Sequence, residues 1–388
     1  RIPAEGCEDS GAKMSSVTLE HVVKFYYPGI AAADTKPIKG LNDINLHIPD
    51  GETLSVVGPS GCGKSTLLKV IAGLEYPDEG RVLYNDLDVS KITPQDRGVG
   101  MVFQDYALYP TKEGKNNMSY YFEVHHRSQE EKEQRLRETA ELMGIGFEML
   151  MGRQVDTLSG GEKQRVGIAR CIVREPNVFL MDEPISNLDA KLRERTRTEI
   201  RRLLKKFGIT TLYVTHDQQE AIFMGDRIAV MRTGSLEQLG TFDELYYSPA
   251  NLFVASLIGS PPISVLPVVL DQNMVRVGEH ASLTLPDHLA QSLPQGKLRL
   301  AVRPEGWLVA REPQPESLEM NVSRIERLFT ERAAFSHGEI AGAPVSAVVP
   351  LDFPEAKKVY LTPDWQRAYF FAADAETALF VPGVPELF

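Results

Sequence analysis

The stretch GPSGCGKST, Gly58 to Thr66, follows the apolar run Thr53-Leu54-Ser55-Val56-Val57 and leads into KSTLLKVIAG. Its spacing is Gly58, four residues, then Gly63-Lys64-Ser65, set between an expected strand and an expected helix. That is the context a phosphate-binding loop requires. Glycines let the backbone take positive φ and come close to a ligand. Successive N–H groups then form an anion nest at a helix N-terminus. Gly58, Pro59, Ser60, Gly61, Cys62, Gly63, Lys64, Ser65 and Thr66 are therefore the candidate triphosphate set. Lys64 is placed to reach the β- and γ-phosphates, and the Ser65 hydroxyl to ligate Mg²⁺. Cys62 reads as a small filler of the loop.

A triphosphatase also needs an acidic site on a neighbouring strand, and VFLMDEP supplies one. Asp182 ends the apolar run and is expected to hold Mg²⁺, through water. Glu183 follows directly and is placed to polarise an attacking water. An isolated Asp-Glu pair would read as a solvated strand end; beside a phosphate-binding loop it reads as chemistry.

Up to about Pro249 strand and helix patterns alternate, which predicts an α/β fold with a parallel core. ETLSVVG, GVGMVFQ, NVFLMDEP, TTLYVTH and DRIAVM read as strands. Gly73 is placed to end the first helix, and Ser128 with Glu131 has capping-box spacing at the start of another. The long helix LDAKLRERTRTEIRRLLKKFG has a stripe of Leu188, Leu192, Ile200, Leu203 and Phe207. From GSPP (Gly259 to Pro262) onward the texture changes: 14 of the 25 prolines fall in the last 128 residues, which disfavours long helices. KLRLAVRP alternates apolar and polar residues, and NMVRV and PVSAVVP read as further short strands. A small β-barrel or sandwich is expected for this tail.

The composition bounds the function. The chain has 388 residues, is 43% hydrophobic and carries 42 basic against 53 acidic side chains, a net charge of −11. That balance argues against a mainly nucleic-acid-binding surface. Cys7, Cys62 and Cys171 are too scattered for a disulfide framework or paired metal ligands, so a reducing compartment is the simpler reading. No run approaches the roughly 18 apolar residues of a membrane span. RIPAEGCEDSGAK lacks the apolar core of a signal peptide and reads as an extension.

LSGGEKQRVGIAR (Leu158 to Arg170), DEPISNLDA (Asp182 to Ala190) and YVTHD (Tyr213 to Asp217) join the phosphate loop. Together they make the chain resemble the ATP-binding subunits of ABC transporters, over about Val17 to Pro262. It looks most like the ATPases of bacterial sugar importers of the maltose type, on GVGMVFQDYALYP, SNLDAKLR, YVTHDQQEA and ANLFVASLIGSP. The resemblance implies a P-loop NTPase of ABC type with a helical subdomain, then a small C-terminal β-barrel of oligonucleotide-binding (OB) type. The tail's share rests on AVRPEGWLV (Ala301 to Val309). It divides the chain into a flexible extension (1–13), an ATPase domain (14–250, helical subdomain about 105–175), a linker (251–264) and a β-rich accessory or regulatory domain (265–388).

By the same resemblance two copies sandwich two ATP molecules, Ser159, Gly160 and Gly161 of one closing on the γ-phosphate held by the other. On its own that turn reads as a helix start favouring an anion, or as a plain N-cap. Gln104 matches the glutamine that touches Mg²⁺ or water and senses the membrane partner. His216 matches the switch histidine at the γ-phosphate. Asp189 matches the loop aspartate that communicates across the dimer, and equally suits a helix start. Tyr26 sits where the family stacks a ring on adenine, with Phe25 and Tyr27 one register away. The implied cofactors are ATP and Mg²⁺. The implied partners are a second copy, two integral-membrane permease subunits and, indirectly, an extracytoplasmic solute-binding protein. The implied location is peripheral, on the cytoplasmic face of the inner membrane.

The chain departs from the family at Gly114, inside TKEGKNNM, where relatives usually carry an apolar residue in the region receiving the membrane subunit's coupling helix. Lost apolar contact is expected to loosen that region or to match it to an unusual partner. His125-His126 lacks a further ligand nearby and reads as solvated. Importer motors for polyamine, sulfate or iron share these motifs. A soluble ABC ATPase in DNA repair or translation, or an exporter ATPase, is the competing class. The former is disfavoured by the net charge, since even KLRERTRTEIRRLLKK is interspersed with Glu194 and Glu199.

Overall fold

The computed structural model describes residues 15–27, 37–279, 281–330, 332–374 and 376–382. The expected extension at 1–13 lies outside them. The chain divides into two compact units, Arg1–Leu239 and Gly240–Phe388.

The first unit carries strands β1 (Val17–Tyr26), β2 (Ile38–Ile48), β3 (Thr53–Val57), β4 (Glu79–Tyr84), β5 (Leu87–Asp88), β6 (Val99–Val102), β7 (Val178–Asp182), β8 (Thr210–Val214), β9 (Arg227–Arg232) and β10 (Ser235–Gly240). Its helices are α1 (Lys64–Ala72), α2 (Gly114–Val124), α3 (Gln129–Met143), α4 (Phe147–Met151), α5 (Gly160–Ile172), α6 (Ala190–Phe207) and α7 (Gln218–Met224). A six-stranded sheet runs β10-β9-β3-β8-β7-β6, and a four-stranded antiparallel sheet runs β2-β1-β4-β5. The pairs β3·β8, β3·β9, β6·β7 and β7·β8 are parallel. Strand β3 is buried at all five positions, as a central parallel strand should be. Ligands of such sheets gather at the carboxyl ends of the strands, and there the site residues stand.

Helices α2 to α5 lie between β6 and β7 in sequence and share one core with β7 and α6. The predicted face Leu136, Ala140 and Met143 of α3 is buried. On α6 the stripe is shifted by part of a turn. Ile200, Leu203, Leu204 and Thr196 are buried, while Leu192 and Phe207 are half-buried. Gly114 corrects an expectation. It is buried at the start of α2, and its N–H donates to the Arg153 carbonyl at 3.0 Å. A Cβ placed there would lie 2.6 Å from the Leu150 carbonyl oxygen and 3.1 Å from Met151 Cα. The missing side chain is thus a close approach of two backbones, not a gap that loosens the region.

In the second unit, α8 (Phe242–Tyr247) and α9 (Leu252–Leu257) precede a β-rich body. A linker is expected at 251–264, but Leu252 and Ala255 of α9 pack with Ile263, Ala301, Tyr369 and Phe371. The helix therefore belongs to this unit's core. Two antiparallel sheets, of six and five strands, enclose one apolar interior that takes in Leu266, Leu300, Trp307, Leu318, Leu361 and Phe370. Trp365 stacks on Phe370 at 6.2 Å, so both tryptophans are packing residues. Arg303 of the AVRPEGWLV stretch is 2% exposed. Its guanidinium donates to the carbonyls of Ala255 (3.1 Å), Ile258 and Tyr246 (2.9 Å) and lies 4.0 Å from the Tyr246 ring centre.

Candidate active site

Strand β3 ends where the Gly58–Thr66 loop begins. A Cβ at Gly58 would lie 2.2 Å from the Met231 carbonyl oxygen, so only glycine lets the loop leave the sheet here. Gly63, with φ 105°, turns the chain into α1. Lys64 is buried, and its ammonium donates to the carbonyls of Gly58 (2.8 Å) and Pro59 (3.0 Å). Cys62 is 4% exposed, and burial raises its thiol pKa against the opposing charge of Lys64. It fills the loop as read from the sequence. The Tyr26 hydroxyl donates to Thr66 Oγ1 at 3.3 Å and its ring covers Gly40, so the half-exposed ring stands beside the loop. Tyr27 is far more exposed, at 73%.

Strand β7 brings up the acids. Ser65 Oγ donates to Asp182 Oδ1 at 3.3 Å. Burial raises the Asp182 carboxyl pKa, the Ser65 bond opposes that, and the neighbouring Glu183 charge adds to it. A hydroxyl and a carboxylate are hard oxygen donors of the kind Mg²⁺ takes when phosphates and water complete its shell. Among the described residues no three His, Cys, Asp or Glu side chains form a metal cage.

Glu183 has φ 45°, an uncommon left-handed backbone for a non-glycine residue. Its N–H donates to the Val214 carbonyl at 2.9 Å, tying the ends of β7 and β8 together. Its Oε2 lies 3.0 Å from His216 Nδ1, the first exposed residue past β8. Gln104 is exposed, and its backbone carbonyl accepts from Asn187 Nδ2 at 3.1 Å, which holds the loop after β6 against the loop after β7. Asp189 caps α6, accepting from Leu192 N at 2.9 Å.

The phosphate loop, Asp182, Glu183 and His216 thus stand along the ends of β3, β7 and β8. Ser159, Gly160 and Gly161 do not join them. Ser159 caps α5 in a reciprocal box with Glu162, whose carboxylate accepts from Ser159 N at 2.8 Å. Gly160 and Gly161 instead neighbour Leu188, Leu192 and Thr196.

Two supporting groups escape a sequence reading. Arg97 is wholly buried and donates to the carbonyls of Val70 (2.9 Å) and Ile71 (2.8 Å) at the end of α1. Glu220 is buried behind His216, bonded to Tyr213 and Thr215. A charge in a turn, as at Arg97, or inside a helix pattern, as at Glu220, gives no sign of either role. Elsewhere in this unit, a cavity of about 370 Å³ is lined by Leu74, Phe103, Tyr109, Tyr120, Val124 and Arg174, among others.

The profile of the family described as ABC transporter matches residues 41–186. The chain is 40% identical to an osmoprotective compounds uptake ATP-binding protein of Synechocystis, over 95% of this chain and 100% of that one. It is 44% identical to an sn-glycerol-3-phosphate import ATP-binding protein of Ruegeria, covering 87% and 90%. A trehalose/maltose import ATP-binding protein of Thermococcus litoralis is 43% identical, covering 76% and 83%. Among solved structures, a dimeric ATP-binding cassette in a post-hydrolysis state with ADP and phosphate is 32% identical, with TM-score 0.50, over 58% of this chain and 98% of that one.

Proposed function

This chain belongs to the ABC transporter family, among its import ATP-binding subunits, and from that premise we propose that it is the ATP-hydrolysing motor of a sugar or sugar-phosphate importer. The observation that carries the chemistry is the meeting of Ser65 with Asp182 and of Glu183 with His216 at neighbouring strand ends. The substrate class rests on the relatives named for sn-glycerol-3-phosphate and trehalose/maltose. Uptake of an osmoprotective solute is the second reading, favoured by the Synechocystis protein matched along its whole length.

In this reading the amides of Gly58–Thr66 and the Lys64 ammonium hold the β- and γ-phosphates, and Tyr26 stacks on the base. Ser65 and Asp182, with Gln104, would hold Mg²⁺, which neutralises phosphate charge when bound. Glu183 takes the proton of the attacking water, and His216 orients Glu183 and meets the γ-phosphate. Two copies face each other, Ser159, Gly160 and Gly161 of one reaching the nucleotide of the other, with Asp189 beside them. Closing on two ATP and opening after hydrolysis drives two permease subunits at the cytoplasmic face of the inner membrane. The aromatic cavity at Phe103, Tyr109 and Tyr120 is the surface offered to them. A solute-binding protein delivers the cargo from the other side.

The deciding experiment is uptake of labelled sn-glycerol-3-phosphate, trehalose and an osmoprotectant by cells with this chain and its co-purifying membrane proteins. ATP-dependent uptake of one of the first two, lost with Glu183→Gln, is the expected result. Uptake of the osmoprotectant alone supports the second reading, and uptake unaffected by Glu183→Gln overturns the motor assignment.

A further inference from the structure

His216 lies between Thr215, which is bonded to the buried Glu220 carboxylate, and Asp217, which is bonded to Thr215 and to the Glu220 backbone N–H. Thr215 and Glu220 are 1% and 5% exposed, and Tyr213 is fully buried. Glu220 Oε1 accepts from the Tyr213 hydroxyl, and Oε2 accepts from Thr215 Oγ1 at 2.8 Å. Thr215 Oγ1 in turn accepts from Asp217 N at 3.1 Å. Asp217 Oδ1 accepts from Glu220 N at 3.3 Å and from Gln219 N at 2.8 Å. The bonds therefore form a closed, one-directional circuit: Asp217 N–H to Thr215, Thr215 O–H to Glu220, Glu220 N–H back to Asp217. The Thr215 N–H donates to Val56 O at 3.1 Å, which ties this circuit to the strand that carries the phosphate loop.

We infer that Glu220 is a positioning residue for His216, setting the pitch of the turn Thr215-His216-Asp217 and so the 3.0 Å approach of His216 to Glu183. The inference rests on the reading of His216 as a contact of the reacting phosphate. The direction of the circuit is its weak point. A carboxylate only accepts, so both hydroxyl protons are used. An amide must turn an N–H toward one of the two hydroxyls, and that hydroxyl's proton is left buried without an acceptor. Burial raises the Glu220 carboxyl pKa, the Tyr213 and Thr215 bonds oppose that, and Asp217 adds to it.

The test is steady-state MgATP hydrolysis by the purified full chain, with MgATP binding by calorimetry and thermal unfolding measured alongside. Glu220→Gln and Thr215→Val are each expected to lower kcat at least tenfold, with KM and Kd for MgATP within twofold of the parent. Thr215→Ser, which keeps the hydroxyl, is expected to stay within threefold of the parent kcat. Tyr213→Phe removes only the bond on the far side, so it lowers Tm and leaves kcat within threefold. If Glu220→Gln does not fold, the Thr215 pair decides alone. The inference is overturned if a folded Glu220→Gln or Thr215→Val keeps kcat within threefold while His216→Ala is inactive. A loss in Tyr213→Phe as large as in Glu220→Gln overturns it too, because the cluster is then only structural. Parental turnover in His216→Ala would overturn the reading of the site itself.

Discussion

His216 Nδ1 lies 3.0 Å from Glu183 Oε2, although the two residues stand 33 positions apart in the chain. The contact exists because β7 and β8 are parallel neighbours in register, Asp182 opposite Val214, so the residues just past both strands emerge together. Changing Glu183 to glutamine keeps the size and the backbone but removes the proton acceptor. Turnover is expected to fall by about 10²–10⁴, the usual span for a general base. MgATP affinity is retained, and the loaded protein accumulates as a dimer in size-exclusion chromatography with light scattering. Parental steady-state hydrolysis would contradict the role.

Lys64 is held inside its loop by two carbonyls. Lys64→Ala is expected to weaken MgATP binding about 10- to 100-fold, since a hydrogen bond to a charged group contributes ~1.5–3 kcal/mol. Calorimetry giving an unchanged Kd would count against the phosphate contact.

Gly114→Leu introduces the apolar residue that the family resemblance leads one to expect at this position. Because the added Cβ meets the Leu150 carbonyl oxygen, the variant is expected to lose about 1–3 kcal/mol. Urea unfolding of the full chain measures it, and a gain in stability would refute the steric account.

Arg303→Met takes the guanidinium from the carbonyls of Ala255 and Ile258, while the Tyr246 carbonyl keeps the Tyr369 hydroxyl as a donor. A loss of about 2 kcal/mol or more is expected, at ~1–3 kcal/mol for each buried group left unpaired. An unfolding curve that superimposes on the parent's would show that the clamp contributes nothing.

Asp226 accepts from Thr53 N (3.0 Å), Arg201 (3.0 Å) and Lys205 (2.6 Å). Burial works to raise its carboxyl pKa, but the Lys205, Thr53 and Arg201 bonds outweigh it and the carboxyl lies below the usual aspartate range. With the folded value depressed, the unfolded state binds the proton first. The stability is then full above about pH 4 and is lost as pH falls through the folded value. The stability gap between the parent and Asp226→Asn should accordingly narrow as pH drops from 5 to 3. A gap constant across that range would rule the ion cluster out as its source.

The groups legible in the sequence share one property: each lies within a few residues of a strand end. Asp182 and Glu183 follow an apolar run and the glycine spacing of the phosphate loop is local, whereas His216, just past β8, is singled out by the family resemblance alone. The groups that were not legible depend on distant partners. Gly114 is explained by Leu150 and Met151, Arg97 by the end of α1, Arg303 by α8 and α9, and Glu220 by a hydroxyl on β8. The sequence around α9 reads as a linker because the helix's partners Ala301, Tyr369 and Phe371 lie 40 or more residues onward. On α6 a 3.6-residue period marks the apolar side but not its edge, so the buried Leu204 and Thr196 fall outside the predicted stripe.

The central place of β3 also bears on the making of the protein. Thr53 pairs with Thr211 and Leu54 with Arg227, so the strand that launches the phosphate loop has neither neighbour until residues beyond 210 exist. At ribosomal rates of about 5–20 residues per second, that wait is roughly 10–30 s. During it the loop's own residues have emerged without the sheet that shapes them, and the nascent chain holds an apolar strand with no mate. Fragments ending before β8 would carry the motifs from GPSGCGKST to DEPISNLDA and still lack both strands that flank the one launching the phosphate loop.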